Sequence, residues 1–279
     1  MIKIYDTKLL LIGEPGSGKT TLVKRLVNEI TESNYPKPNA SEITHGIEIT
    51  SLAYSEGKND YKLNIWDFGG HENYHSMHQF FLSKRSLYVL VLDNSRREFL
   101  EGYWLEIQRI LAENSPLLVI ININREIDGF SESNTHFIPI NKIKSKFKNI
   151  HFHLEIDLVN DNSEISKVVN WIKEESRRLV LTTTSIINKE AYFNFRNNLE
   201  FNLTEDYISL NDFKDLLEDS KIIDHQEQDI IIEHLHDLGV ILHFKYSNEL
   251  KVYIFLSIPF IINVIYLPKH HAISLNEGS

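Results

Sequence analysis

Apolar residues in the first half of the chain come in short unbroken runs, and the stretches between them carry apolar positions at helical spacing. Lys8 to Ile12 (KLLLI) is one such run, and from Lys19 to Ile30 the residues Leu22, Leu26 and Ile30 fall on one helical face. Strand patterns return at Ile47 to Ala53, Tyr61 to Asp67, Leu87 to Leu92, Leu117 to Ile123 and Ile150 to Ile156. Amphipathic stretches lie between them, notably Glu101 to Glu113 and Ser163 to Leu179. This alternation predicts an α/β fold with a mostly parallel sheet and helices on both faces.

The rhythm changes after about Leu181. Ser209 with Asp212, and Asp224 with Glu227, have the spacing of N-terminal caps and predict helices from about Leu210 to Leu217 and His225 to Leu238, the second stopped by Gly239. VILHF (240–244) and VYIFL (252–256) read as strands flanking a turn at Ser247-Asn248. Two helices followed by two strands suggest a smaller α+β, winged-helix-like domain. The expected domains are therefore 1–180 and 181–279. The apolar stretch Val252 to Leu267 is broken by Pro259 and Asn263 and falls short of the roughly 20 residues that span a bilayer, so no membrane span is expected.

Composition narrows the classes further. The 279 residues include no cysteine, which excludes disulfides and leaves His, Asp and Glu for any metal site. The opening MIKIYDTKLLLIGEPG reads as a buried strand leading into a glycine turn, with no basic leader, and a cytoplasmic location is expected. A formal charge of −10 repels a phosphate backbone, so nucleic acid is not an expected partner. The dense basic run Lys142 to Lys148 reads as the solvated face of a short helix whose Ile143 and Phe147 point inward.

The chemistry begins at Gly13-Glu14-Pro15-Gly16-Ser17-Gly18-Lys19-Thr20, which fits GxxxxGK[ST] without a mismatch and is followed by Thr21. It stands after an apolar strand and before a helix, where backbone N–H groups and a helix N-terminus can face phosphates. Lys19 is placed to reach β/γ oxygens and the Thr20 hydroxyl to ligate Mg²⁺. About fifty residues on, Asp67-Phe68-Gly69-Gly70 gives DxxG at the end of a strand, with Asp67 suited to the Mg²⁺ shell and the Gly70 N–H to a γ-phosphate. Between them Thr44, in ITHGIEI, precedes a strand as a switch threonine would, although Ser41 and Thr50 offer competing hydroxyls.

Two features of this region admit other readings. His71-Glu72-Asn73-Tyr74-His75 overlaps DxxG and fits HExxH, which binds zinc when both imidazoles share a face of a regular helix and a third ligand arrives from elsewhere. Here the first histidine follows two glycines at a strand end and no third-ligand motif follows, so the phosphate-loop context decides against zinc. His75 and His78 then read as polar residues on a switch helix. Base contacts fall on Asn124-Arg125-Glu126-Ile127-Asp128, which departs from the guanine motif NKxD. Arg125 replaces Lys, and Asp128 lies one residue late. Asn124 and Asp128 remain the candidate base contacts, with adenine left open.

The phosphate loop, THGIEI and WDFGGHENYHSMHQFFLSKRSLYVLVLD together resemble the Roc domain of Roco proteins, Ras-like GTPases that occur in tandem with a COR domain. IIIEHLHDLGVILHF and the following strand and PFIINVIYL resemble the first half of COR, itself winged-helix-like. The resemblance implies a Ras-like phosphate-loop NTPase fold and GTP/GDP with Mg²⁺ as cofactors. It places Gly13 to Thr20, Thr44 and Gly70 on nucleotide, and Thr20, Thr44 and Asp67 on the metal. His71 directly follows DxxG, where Ras-like GTPases carry the glutamine that orients water, and a neutral imidazole can accept a hydrogen bond from that water. The expectation is a GTP-binding switch with slow hydrolysis that transmits the state of residues 40–50 and 67–82 to the COR-like domain, with a protein partner or homodimer through that domain. A scaffold whose nucleotide is never turned over and an ATP-using enzyme are the alternatives. DNA binding is disfavoured by the acidic DHQEQDIIIEHLHD.

Overall fold

The computed structural model describes residues 4–32, 44, 46–69, 77–94, 101–113, 115–123, 140–160, 163–181, 186–202 and 204–266. The chain separates into two compact units, Tyr5–Val180 and a second made of Met1–Ile4 and Leu181–Ser279.

The first unit is built on β1 (Ile4–Ile12), α1 (Lys19–Thr31), β2 (Ile47–Glu56), β3 (Asn59–Phe68), β4 (Leu87–Asp93), α2 (Glu101–Leu111), β5 (Leu117–Asn122), α3 (Ile140–Lys146), β6 (Ile150–Ile156) and α4 (Ser163–Leu181). Six strands form one sheet in the order β2-β3-β1-β4-β5-β6. β1, β4, β5 and β6 run parallel, whereas β2 and β3 form an antiparallel hairpin, in register from Ile47 opposite Phe68 to Glu56 opposite Asn59. The sheet is thus mixed. Gly57, in the left-handed region at φ 63°, turns the hairpin.

Strand position explains the sequence pattern. The inner strands β1, β4 and β5 are covered on both faces and read as continuous apolar runs, with Leu9, Leu10, Leu11, Val89, Leu90 and Val119 all fully buried. The edge strand β2 instead is buried only at Ile47 and Leu52, its other positions being exposed or half-buried. Leu22, Leu26 and Val23 of α1 join Val168, Val169 and Ile172 of α4 in the core around these strands. On α3, Ile143 is buried, as is Phe147 just after it, while Lys142 and Lys146 face outward and Lys146 pairs with Glu106 at 3.0 Å. Because the four strands are parallel, the ends of β1, β4, β5 and β6 open on one edge of the sheet, where α/β folds bind ligands.

The second unit comprises α5 (Lys189–Asn202), β7 (Tyr207–Ser209), α6 (Leu210–Asp219), α7 (His225–Asp237), β8 (Tyr253–Phe255) and helical residues 258–266. Both expected caps form: Ser209 Oγ accepts from Asp212 N at 3.1 Å, and an Asp224 carboxylate oxygen from Glu227 N at 2.8 Å. Glu227 also accepts from Ile187 N and Asn188 N, at 2.9 and 2.7 Å, and so caps the entry to α5. The strand expectation needs correction here. Residues 240–244 contribute only an isolated bridge, Leu242 to Phe255, and β8 pairs instead with β7, upstream of both helices. The turn-rich stretch 245–252 separates the two segments expected to form a hairpin, and Leu242 and Phe255 exchange their pair of backbone bonds without neighbours to extend the ladder. Among the described residues no helix is long and apolar enough to cross a membrane.

Candidate functional site

The loop after β1 owes its path to glycines. Gly13 sits at φ 140°, and a Cβ there would lie 2.3 Å from the Val91 carbonyl oxygen of β4. Gly18, at φ 104°, caps α1, and its Cβ would press on Asn122 Nδ2 and Leu158 Cδ1, both at 2.8 Å. Only glycine lets the backbone pass this close at these angles. Gly18 also carries no side chain to accept from the first turn of α1, whose N–H groups and dipole favour an anion.

Lys19 is 5% exposed, and its ammonium is oriented over the loop by the carbonyls of Gly13 (2.9 Å) and Glu14 (2.7 Å). One residue on, Thr20 turns toward the end of β3. Its hydroxyl lies 2.5 Å from Asp67 Oδ2 and 2.9 Å from the Thr44 hydroxyl, which donates to the same carboxylate oxygen at 3.2 Å. Burial pushes the Asp67 carboxyl above its usual range, opposed by the Thr20 hydrogen bond, the Lys19 charge and the Thr44 hydrogen bond. Its other oxygen, Oδ1, is buried with no hydrogen-bond partner. Two hydroxyls and a carboxylate with one oxygen unsatisfied make an all-oxygen donor set that suits a hard divalent cation.

The segment bearing Thr44 is held against the end of β3 by backbone contacts. Gly69 N donates to Gly46 O at 2.8 Å, and a Cβ on Gly69 would lie 2.4 Å from the Thr44 carbonyl oxygen. Thr44, one of several hydroxyls in its stretch of sequence, is therefore brought into contact with Asp67. Pro15, Gly16 and Thr21 complete the loop and the start of α1. Ser17 is fully buried, and its carbonyl accepts from Asn122 Nδ2 at 3.1 Å. Gly70, His71, Asn124 and Asp128 lie outside the described residues, as does His75.

Three residues that sequence reasoning passed over belong to this site. Asn122 ends β5, two positions before the asparagine singled out as a base contact. Its amide ties the phosphate loop to the turn after β6, donating to Ser17 O and accepting from Leu158 N at 3.2 Å. In that turn Asp157, 2% exposed, takes the backbone N–H groups of Val159 and Asn160 at 3.0 Å each. Trp104 of α2 donates its indole N–H to Glu14 Oε1 at 3.1 Å. A sequence signal existed only for Asn122, as a polar residue closing the apolar run LLVII.

His78 corrects an expectation. It is fully buried, meeting Phe68 edge-on at 4.7 Å between ring centroids and stacked with Trp104 at 5.9 Å, so it belongs to the core beneath the site and not to an exposed helix face. Among the described residues no cluster of three or more His, Asp or Glu side chains has the arrangement of a metal site of its own.

Comparison with known proteins places this geometry in context. Residues 8–125 match the family model "Ras of Complex, Roc, domain of DAPkinase", and residues 189–276 match "C-terminal of Roc, COR-A domain". The chain is similar to the probable serine/threonine-protein kinase pats1 of Dictyostelium discoideum, 34% identical over 138 residues, which cover 42% of this chain and 4% of that protein. It is also similar to the Roc-COR-CHAT protease of Runella zeae, 24% identical over 277 residues, covering 91% of this chain and 28% of the protease. The chain thus spans a small part of either relative. Among solved structures, Roco2 RocCORdC of Methanosarcina barkeri, described as bound to GDP, superimposes with a TM-score of 0.76 at 29% identity, covering 95% of this chain and 76% of the other.

Proposed function

Because the chain belongs to the Roc-COR GTPases of the Roco family, with a Ras-like phosphate-loop fold and a smaller second domain, we propose that it is a guanine-nucleotide switch that hydrolyses GTP slowly. The observation that carries this reading is the meeting of Thr20, Thr44 and Asp67. One residue of the loop, one before β2 and one at the end of β3 share a carboxylate oxygen, with Asp67 Oδ1 left for a further partner. Guanine is favoured over adenine by the similar structure described as bound to GDP.

In this reading the loop N–H groups and the Lys19 ammonium bind and orient the phosphates. Thr20, Thr44 and Asp67 hold Mg²⁺, which when bound neutralises charge on the β/γ oxygens. Because Thr44 lies just before β2 and Asp67 near the end of β3 where the two strands pair, a group that engages both fixes that end of the hairpin. His71 accepts a hydrogen bond from the attacking water and orients it, without acting as a strong base. Asn124 and Asp128 contact the base. Residues 1–180 form the nucleotide-binding domain and 181–279 the COR-like domain, which receives the nucleotide state and supplies the contact to a protein partner or a second copy.

The test is direct. Protein purified from cells is denatured and the released nucleotide identified by chromatography, then phosphate release from GTP is followed in a single turnover. Stoichiometric guanine nucleotide and slow, Mg²⁺-dependent release are expected. Adenine nucleotide, or an affinity for Mg²⁺-GTP that survives Lys19→Ala undiminished in calorimetry, overturns the assignment.

A further inference from the structure

We propose that Trp104 is a positioning residue for the phosphate loop, holding the Glu14 side chain while its ring packs on His78. The inference rests on the nucleotide-binding reading above. Glu14 is the second residue of the loop, and it is held at two points. Its backbone carbonyl accepts from Lys19 at 2.7 Å, and its carboxylate accepts from Trp104 Nε1 at 3.1 Å.

The carboxylate is an awkward group at this place. A phosphate loop concentrates N–H donors and the Lys19 charge for a polyanion, and a carboxylate free to swing through that space repels the ligand it should admit. Trp104 removes that freedom. The indole is 1% exposed on α2, 90 residues away in sequence, and its N–H can only donate, so the bond draws Glu14 toward α2. Polyphosphate competes with the Glu14 carbonyl for the Lys19 ammonium, and the indole bond then remains as the side-chain tie on the first turn of the loop.

The opposite attachment of Trp104 leads back to Asp67. Its ring stacks with buried His78, at an interplanar angle of 24°, and His78 meets Phe68, the residue after Asp67, at 77°. A series of three rings therefore runs from the strand end bearing the metal-site carboxylate to the residue that fixes Glu14. Trp104→Phe keeps an aromatic ring at this place and loses the donor together with part of the buried indole volume. The volume loss is common to any Glu14 background, so the comparison of backgrounds separates positioning from packing.

The experiment measures release of N-methylanthraniloyl-GDP from the full chain by stopped flow. Trp104→Phe is expected to speed release roughly three- to ten-fold in the otherwise native chain, the range for losing one ordinary hydrogen bond. Combined with Glu14→Ala, the same substitution is expected to change release by less than about 1.5-fold, because its partner is already gone. An equal acceleration in both backgrounds, or none in either, overturns the proposal. Should Trp104→Phe fail to fold, Glu14→Gln, which keeps an acceptor for the indole, is expected to release the nucleotide more slowly than Glu14→Ala, and equal rates overturn the proposal. A native chain that binds no guanine nucleotide defeats the functional reading first and takes this inference with it.

Discussion

The Thr20 hydroxyl reaches Asp67 Oδ2 at 2.5 Å across 47 residues of sequence, joining the first turn of α1 to the end of β3. Neither contact on Asp67 cancels the cost of its burial, which still raises its carboxyl above the usual range. A buried carboxyl whose charge is disfavoured by burial gains most from a cation brought beside it.

Asp67→Asn separates the two contributions. It keeps the shape and removes the buried charge, so without Mg²⁺ the variant should melt no lower than the native chain. The rise in melting temperature on adding Mg²⁺ and nucleotide should fall by more than half, by the linkage of ligand binding to stability. Calorimetric scans with and without Mg²⁺ check this, and a full Mg²⁺-dependent rise in the variant places Asp67 outside the metal site.

Gly13→Ala should destabilise the first unit even without ligand. The added Cβ meets the Val91 carbonyl oxygen at 2.3 Å, at a φ of 140° that side chains rarely adopt. Strain of this kind costs on the order of 1–3 kcal/mol before any clash is relieved. Urea denaturation measures it, and a loss below about 0.5 kcal/mol, the size of an ordinary surface change, counts against the close approach.

His71→Ala should slow single-turnover GTP hydrolysis roughly ten-fold or more while leaving nucleotide affinity within about two-fold, as expected for a group that orients water. His71→Gln should retain much of the activity, since an amide oxygen can accept the same hydrogen bond. Hydrolysis by the alanine variant at the native rate would make His71 a bystander and assign water positioning to another residue or a second chain.

If nucleotide state is passed to the COR-like domain, hydrogen exchange in the GTP and GDP forms should differ at residues 67–82 and also at residues 234–244. A ligand shifts a distant element only by binding its states unequally. Identical exchange at 234–244 in both forms would confine the switch to the first domain.

The parts of this molecule that a sequence reader can find are those whose chemistry is local. Gly13, Gly18 and Lys19 stand at fixed spacing because a backbone wrapped this tightly tolerates few alternatives, and Asp67 announces itself by ending an apolar strand with a charge. The caps at Ser209 and Asp224 are local in the same way, each closed within three residues. What stayed hidden depends on the tertiary fold. Nothing near Glu14 hints at an indole 90 residues on, nothing in NIN says that Asn122 reaches the loop, and His78 looks polar until Phe68 and Trp104 are folded around it. The pairing of β7 with β8 is hidden for a related reason: three-residue strands leave too few positions for an alternation to declare itself.

The hairpin of β2 and β3 has a mechanical meaning beyond its place in the sheet. Its ladder is continuous from Glu56 opposite Asn59 to Ile47 opposite Phe68, on the order of 30 Å at the usual rise per residue. Thr44 and Asp67 sit at one end of this ribbon, and the turn at Gly57 and Lys58 forms the other. Sliding one strand by a single residue would turn its side chains to the opposite face, so the register that joins the two ends resists slippage. Since the chain has no native thiol, a cysteine placed at Lys58 would carry a probe at the far end of the ribbon, away from Thr44 and Asp67 and without touching either.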